Sequence, residues 1–207
     1  MVTVKLYVEG GGDHNKTLQT ACRRGFSEFL LKAGLNDRMP RVVACGGRHQ
    51  AYESFRTSHG NAGRSDFPVL LVDSEAPVTK EDPWEHVRLR PGDGWDRPPG
   101  ASADQLHLMT QAMEAWFYAD KDALQRYYEE DFRVGSLSQR KDIENIPKSD
   151  LFAGLRLATR GCRQKGEYSK GEHSFQILGQ IDPAKVRNAS PAHCGRLLEV
   201  LDRVCAR

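Results

Sequence analysis

Four carboxylates stand at the ends of two apolar runs. Glu9 and Asp13 lie in Val-Glu-Gly-Gly-Gly-Asp at residues 8–13, and Asp73 and Glu75 lie in Leu-Val-Asp-Ser-Glu at 71–75. Acids gathered at one place repel one another and are costly to desolvate, and a hard divalent cation with a preference for oxygen relieves both penalties. The glycines at 10–12 allow a turn tight enough to bring Glu9 and Asp13 to one ion. Asp73 and Glu75 are two residues apart, so an extended backbone points both the same way and Ser74 the opposite way. The set suits Mg²⁺ or Mn²⁺. With two ions roughly 3.5–4 Å apart, it would hold the attacking water and the leaving oxygen of an in-line phosphate displacement. The competing reading is that acids at strand ends form turns or cap helices, and Asp13, ahead of Lys16 and Thr17, is placed to cap one.

The elements that must position these acids are legible in the hydrophobic pattern. Residues 2–8 are rich in Val, Leu and Tyr and read as a strand stopped by glycine. From Lys16 onward Leu18, Ala21, Cys22, Phe26, Phe29, Leu30 and Ala33 follow one helical face, and Gly34 ends it. Residues 41–45, after Pro40, read as a short second strand, and 49–58 as a weaker helix. Residues 68–73 are almost continuously apolar, as expected of a central strand covered on both faces. Strand, helix, strand, helix, strand with right-handed crossovers gives an α/β fold, a mostly parallel sheet flanked by helices that binds ligands at its carboxyl edge.

Between 76 and 104 five prolines and two tryptophans predict a long ordered loop or lid, in which Trp84 and Trp95 serve as hydrophobic anchors or stack on single-stranded bases. Met109, Ala112, Met113, Trp116 and Phe117 predict a helical stripe, with Glu114 sharing a face with His107 and Gln111 and turned either to the metals or to water. Beyond about 120 the chain reads as helices starting at Pro147, Asp182-Pro183 and Ser190-Pro191. The expected organisation is an α/β core over 1–120, lid included, with a helical extension over 121–207 packed on it.

Cations offer a complement to the acids. Arg156, Arg160 and Arg163, spaced four and three apart on a possible helix, together with Lys165 and Lys148, could hold a phosphate backbone, or could form a solvated face. Lys148 and Lys170 are also candidates to stabilise charge building on a cleaved phosphate. His173 is a proton carrier near neutral pH or a hydrogen-bonded structural group. Residues 10–17 miss the phosphate-loop pattern by one position, Asn15 for glycine, which makes a nucleotide-binding protein the alternative. Asp13 inside that loop, and Asn15 where a freely turning backbone is needed, weigh against it.

A hydrophobic share of 39%, a charged share of 28% and a net charge of +2 describe a soluble globular protein whose bulk charge decides no partner. No apolar run approaches a bilayer span and no secretory signal is visible, so a cytoplasmic protein without a membrane partner is expected. The five cysteines are odd in number and form no CxxC pair, and Cys45 with His49 would supply only two ligands of a zinc site. Homo-oligomerisation is left open.

A Glu-Gly ending the first strand, followed after helix, strand and helix by a strand ending in Asp-x-Glu, resembles the Toprim domain of primases, topoisomerases and overcoming-lysogenisation-defect nucleases. With His-Leu-Met-Thr-Gln-Ala-Met-Glu-Ala-Trp-Phe-Tyr-Ala-Asp at 107–120 and Tyr-Ser-Lys-Gly-Glu-His-Ser at 168–174, the chain more closely resembles the DUF4276 proteins, a Toprim-like family often encoded beside an ATPase and suspected of roles in defence against phage. The resemblance implies a metal-dependent nuclease acting on DNA or RNA. Glu9 would be a metal ligand or acid/base, Asp73 and Glu75 the metal-binding pair, Asp13 the extra acid of two-metal members, and Glu114 a further ligand. Glu75 departs from the commoner second Asp. The resemblance also implies an ATPase partner, and with it the alternative of a non-catalytic or partner-activated subunit.

Overall fold

Alternation along the strands divides the apolar side chains between two cores. The computed structural model describes residues 2–12 and 15–206. In it β1 (Thr3–Val8) sends Val4, Leu6 and Val8 to one face of the sheet and Tyr7 to the other, and β3 (Asp66–Asp73) sends Val69 and Leu71 one way and Leu70 and Val72 the other. With β2 (Arg41–Ala44) and β4 (Leu106–Met109) they form a four-stranded, all-parallel sheet in the order β2-β1-β3-β4. The chain leaves β1 in one direction to β2 and returns to pair β3 on the other side. The crevice for a ligand therefore lies beyond the carboxyl ends of β1 and β3, which are the strands that Glu9 follows and Asp73 ends.

The face carrying Val4, Leu6, Val8 and Leu71 is covered by α1 (Lys16–Lys32) and by the helices of the second half of the chain. These are α4 (Ala115–Ala119), α5 (Lys121–Tyr128), α6 (Lys148–Thr159), α7 (Ser174–Leu178), α8 (Pro183–Ala189) and α9 (Arg196–Cys205). In α1 the expected stripe holds: Cys22, Phe26, Phe29 and Leu30 are buried, Asn15 caps the first turn by accepting from the Leu18 N–H at 3.0 Å, and Gly34 follows the end with φ +93°. Trp116 stacks on Phe29 with ring centroids 5.1 Å apart, tying α4 to α1. The three proline-marked starts also hold, with Ser190-Pro191 opening a π turn over Pro191–Gly195 that runs into α9.

On the opposite face α2 (Arg48–Gly60) and α3 (Pro83–Leu89) bury Ala51, Phe55, Trp84 and Val87 against Tyr7, Leu70, Leu106 and Leu108. Among the described residues no helix is long and apolar enough to cross a membrane.

Two expectations are corrected. Residues 106–109 are not part of a helical stripe but the fourth strand, with Asp73 beside Met109 in the register, and the helix begins only at Ala115. Strand pairing prevails because His107 and Met109 face one core while Leu106 and Leu108 face the other, a period of two within a run whose later members have helical spacing. The segment 76–104 contains α3 and packs as cover on the sheet. Trp84 and Trp95 are 3% and 4% exposed, Trp95 stacks on Tyr52 at 4.6 Å, and Trp84 donates its ring N–H to the Ser102 carbonyl at 3.0 Å, so both are anchors and neither can stack on a base.

Candidate metal centre

The carboxyl ends of β1 and β3 bring three of the four expected acids together. Glu9 begins where β1 stops; its own N–H donates to the Leu71 carbonyl at 3.0 Å, and its carboxylate Oε2 accepts from the Asp73 N–H at 3.2 Å, laying the side chain across onto β3. One carboxylate oxygen from each of Glu9, Asp73 and Glu75 lies within 4.8 Å of the others. Asp13 lies outside the described residues.

Glu75 reaches this cluster by a route the pattern did not suggest. The strand ends at Asp73, and Glu75 adopts φ +66°, a left-handed conformation that costs a non-glycine residue about 1–2 kcal/mol. The turn is held by Ser74 N–H donating to the Met109 carbonyl at 2.9 Å and Glu75 N–H to the Gln111 carbonyl at 2.8 Å. Gln111 also accepts the Lys148 N–H on its side-chain oxygen at 3.3 Å, so one residue fixes both the end of β3 and the start of α6. Convergence is therefore produced by a clamped turn and not by continued extension.

Each acid carries its own cation. Arg48 contacts Glu9 at 3.3 Å, Lys148 contacts Glu75 at 2.6 Å, and Lys170 lies 3.6 Å from Asp73. Asp73 uses its other oxygen to accept the Met113 N–H at 2.8 Å. Burial, followed by the charge of Asp73, pushes Glu9 up to about 7, with Arg48 pulling against them. Burial likewise raises Asp73, against Lys170 and Lys148. For Glu75 burial also pushes upward but is outweighed by Lys148, whose hydrogen bond and charge hold the carboxyl below the usual range.

Glu114 stands behind the cluster and is not among the three converging carboxylates. It is fully buried just ahead of α4, accepts the Tyr168 hydroxyl at 2.8 Å, and leaves its second oxygen without a hydrogen-bond partner among the described residues. Burial raises its pKa, with the Lys170 ammonium opposing. Its expected face-mates part company with it: His107 is on β4, bonded to the Asp104 carbonyl at 3.0 Å and pushed down to about 4 by burial, hence neutral.

Lys148 is therefore inside the acidic site and not on a remote basic face. Arg156 is exposed on α6, with Arg160 and Arg163 exposed just beyond it, and Lys165 rests 4.9 Å from the Tyr127 ring centre. His173 is 4% exposed and accepts the Ser169 N–H at 3.2 Å, as a structural histidine does.

Four contributors carried no assigned role in the sequence: Arg48, Asp93, Gln111 as a clamp, and Tyr168. Arg48 follows Gly46-Gly47 after β2, so the strand-end logic that located the acids also applied to it. Asp93, 1% exposed, grips the Arg48 guanidinium at 2.7 Å and Arg90 at 2.9 Å, while Arg48 stacks over Trp95 at 4.8 Å. Asp93→Ala is expected to cost about 3 kcal/mol, because it removes the bidentate partner of a guanidinium with little access to water and leaves it only Glu9 and the Asp73 carbonyl among the described residues; urea unfolding of the variant measures it.

The fold and site define an α/β protein with an acidic centre at the switch point of a parallel sheet. A family model described as "Domain of unknown function (DUF4276)" matches residues 8–202, and the chain belongs to that family. No curated protein and no solved structure matches it.

Proposed function

We propose that the chain is a divalent-metal-dependent, Toprim-like phosphodiesterase that cleaves nucleic acid, working in the cytoplasm with an ATPase partner in defence against phage. The observation that carries this reading is the convergence of Glu9, Asp73 and Glu75, delivered by two strand ends, with oxygens within 4.8 Å. The donor set fits Mg²⁺ or Mn²⁺: it is all carboxylate, and burial, followed by the neighbouring charge of Asp73, makes an ionised Glu9 costly in a way that a divalent cation would relieve. A bound ion would supply Lewis-acid neutralisation of a phosphate and lower the pKa of a bound water.

The protein's own groups do the rest. Glu9, Asp73 and Glu75 would hold the ion, Arg48 orients Glu9, and the Met113 N–H occupies one oxygen of Asp73 and leaves the other free of it. Lys148 and Lys170 are cations within reach of anything the acids would hold, and a phosphate that drew them away would leave Glu75 and Asp73 without their ion-pair partners. With three converging carboxylates and Glu114 outside the set, a single ion suits the described residues better than two.

The test is cleavage of DNA and RNA, single- and double-stranded, by the full chain with Mg²⁺, Mn²⁺ or EDTA. Cleavage that EDTA abolishes is expected; silence under every divalent ion rejects the reading. The one-to-one pairing of acids with cations also favours a second reading, a subunit held inactive until an ATPase partner separates those pairs. Silence of the isolated chain, with activity on adding the partner, distinguishes it.

A further inference from the structure

Lys170 projects from a fixed base. In the turn that carries it, the Tyr168 N–H donates to the Thr159 hydroxyl at 2.7 Å, the Ser169 N–H to His173 Nδ1 at 3.2 Å and the Gly171 N–H to the Ser174 hydroxyl at 2.9 Å. The side chain passes Phe152, its ammonium 5.4 Å from the ring centre, and reaches Asp73 at 3.6 Å. A lysine has many rotamers, so a fixed base alone does not place the ammonium.

Asp73 is one anion that draws it in, and Glu114 is a second. Glu114 is fully buried, and one of its oxygens accepts the hydroxyl of Tyr168, two residues before Lys170. Its neighbour Met113 donates its N–H to Asp73, so consecutive residues hold both the acid and the turn that carries the cation of that acid. The second oxygen of Glu114 has no hydrogen-bond partner among the described residues. A buried carboxylate left so incompletely paired is costly to keep unless a cation offsets it.

The charges agree with this geometry. Burial works against the Lys170 ammonium, and the charge of Glu114, ahead of that of Asp73, outweighs it. Burial raises Glu114, and Lys170 is foremost among the groups that oppose it.

We infer that Glu114 is a positioning residue, an internal counter-ion that keeps the Lys170 ammonium at the acidic centre when Asp73 is engaged by a metal ion. The inference rests on the nuclease reading and deepens it, giving Glu114 a role other than that of ligand. An ion on Asp73 would take away the carboxylate in ion-pair contact with Lys170. Glu114, shut off from solvent, keeps its charge for Lys170, whose ammonium then stands where it can meet the charge that builds on a phosphate.

A double-mutant cycle of Glu114→Gln and Lys170→Met, read by urea unfolding in EDTA, tests it. Lys170→Met deprives Asp73 of its partner in both backgrounds, so the difference between its two effects reports Glu114. The substitution should lower the folding equilibrium constant roughly tenfold more in the wild type than in Glu114→Gln. Additive effects overturn the inference. Glu114→Met, of similar length and also uncharged, serves in the same cycle if the Gln variant does not fold. Mn²⁺ titration, followed by melting temperature, separates positioning from ligation: the apparent affinity of Glu114→Gln should stay within about threefold of wild type, and a loss of roughly tenfold or more makes Glu114 a ligand and overturns the inference. In cleavage, Glu114→Gln and Lys170→Met should each lower kcat roughly tenfold or more, and together no further; independent losses overturn it. Coupling in a chain that cleaves nothing keeps the counter-ion and removes the nuclease reading; cleavage without coupling does the reverse.

Discussion

Glu9→Gln is expected to abolish metal-dependent cleavage while making the protein more stable. Gln keeps an oxygen that can accept the Asp73 N–H, so the join between β1 and β3 survives. The charge that would hold a divalent ion is lost, and a fall in turnover of roughly 10³-fold or more, about 4 kcal/mol, is expected. Stability moves the other way. A carboxyl pushed up to about 7 by burial and by Asp73 is ionised above that pH only at the expense of folding, and the neutral amide removes this burden. At pH 8 the gain is up to about 3 kcal/mol, reduced by whatever Arg48 loses when its contact with Glu9 weakens. Paired cleavage assays and urea titrations measure both signs. A variant that is inactive and also unstable would mean that Glu9 serves the fold, and full activity would mean that it serves neither metal nor reaction.

The stability of the wild type should depend on pH and on divalent ions together. Glu9 has an ordinary carboxyl pKa of 4.5 in the unfolded chain and about 7 when folded. Between those values the folded state holds a proton that the unfolded state has released, so stability falls as pH rises through this window, by about 3 kcal/mol from Glu9. Asp73, also raised, acts in the same direction. Glu75 has the opposite sign: held low by Lys148, it favours the fold at neutral pH and loses that contribution only in more acidic solution, outside the window. On the proposed reading a divalent ion would replace the proton on Glu9. At pH 8 and a hundred times its dissociation constant, Mn²⁺ should therefore stabilise by about 2.7 kcal/mol, or roughly 5–10 °C in melting temperature for a chain of this size. At pH 5 the proton competes and the shift should largely vanish. Thermal melts at both pH values, with Mn²⁺ or EDTA, provide the measurement; an equal shift at each would place the ion elsewhere.

Much of this site was legible because strand ends are legible. The apolar runs before Glu9 and Asp73 located both acids, and parallel pairing of β1 with β3 brought them together. Glu75 was found for an incomplete reason. Its spacing from Asp73 suggested continued extension, whereas a left-handed turn clamped by Gln111 delivers it, and no local propensity encodes a hydrogen bond made 36 residues away. β4 was hidden by Met109, Met113 and Trp116, whose helical spacing spans the end of a four-residue strand and the start of a helix. The tryptophans of 76–104 were ambiguous because a proline-rich segment can hang free or cover a sheet, and only the apolar face of β3 and β4 decides between these. Arg48 and Asp93 lie 45 residues apart, and neither belongs to a motif that would have paired them.

The sequence separations within the centre also order events in time. Asp73 meets Glu9 across 64 residues and Lys148 meets Glu75 across 73, while Lys170 lies later still in the chain. Contacts so distant close late in folding, and a nascent polypeptide builds its amino-terminal part first. A ribosome-bound chain stopped before residue 148 would carry the three carboxylates with Arg48 but without Lys148 and Lys170, the cations paired with Glu75 and Asp73 among the described residues. The cations that restrain Glu75 and Asp73 are thus made well after the strand ends that carry those acids.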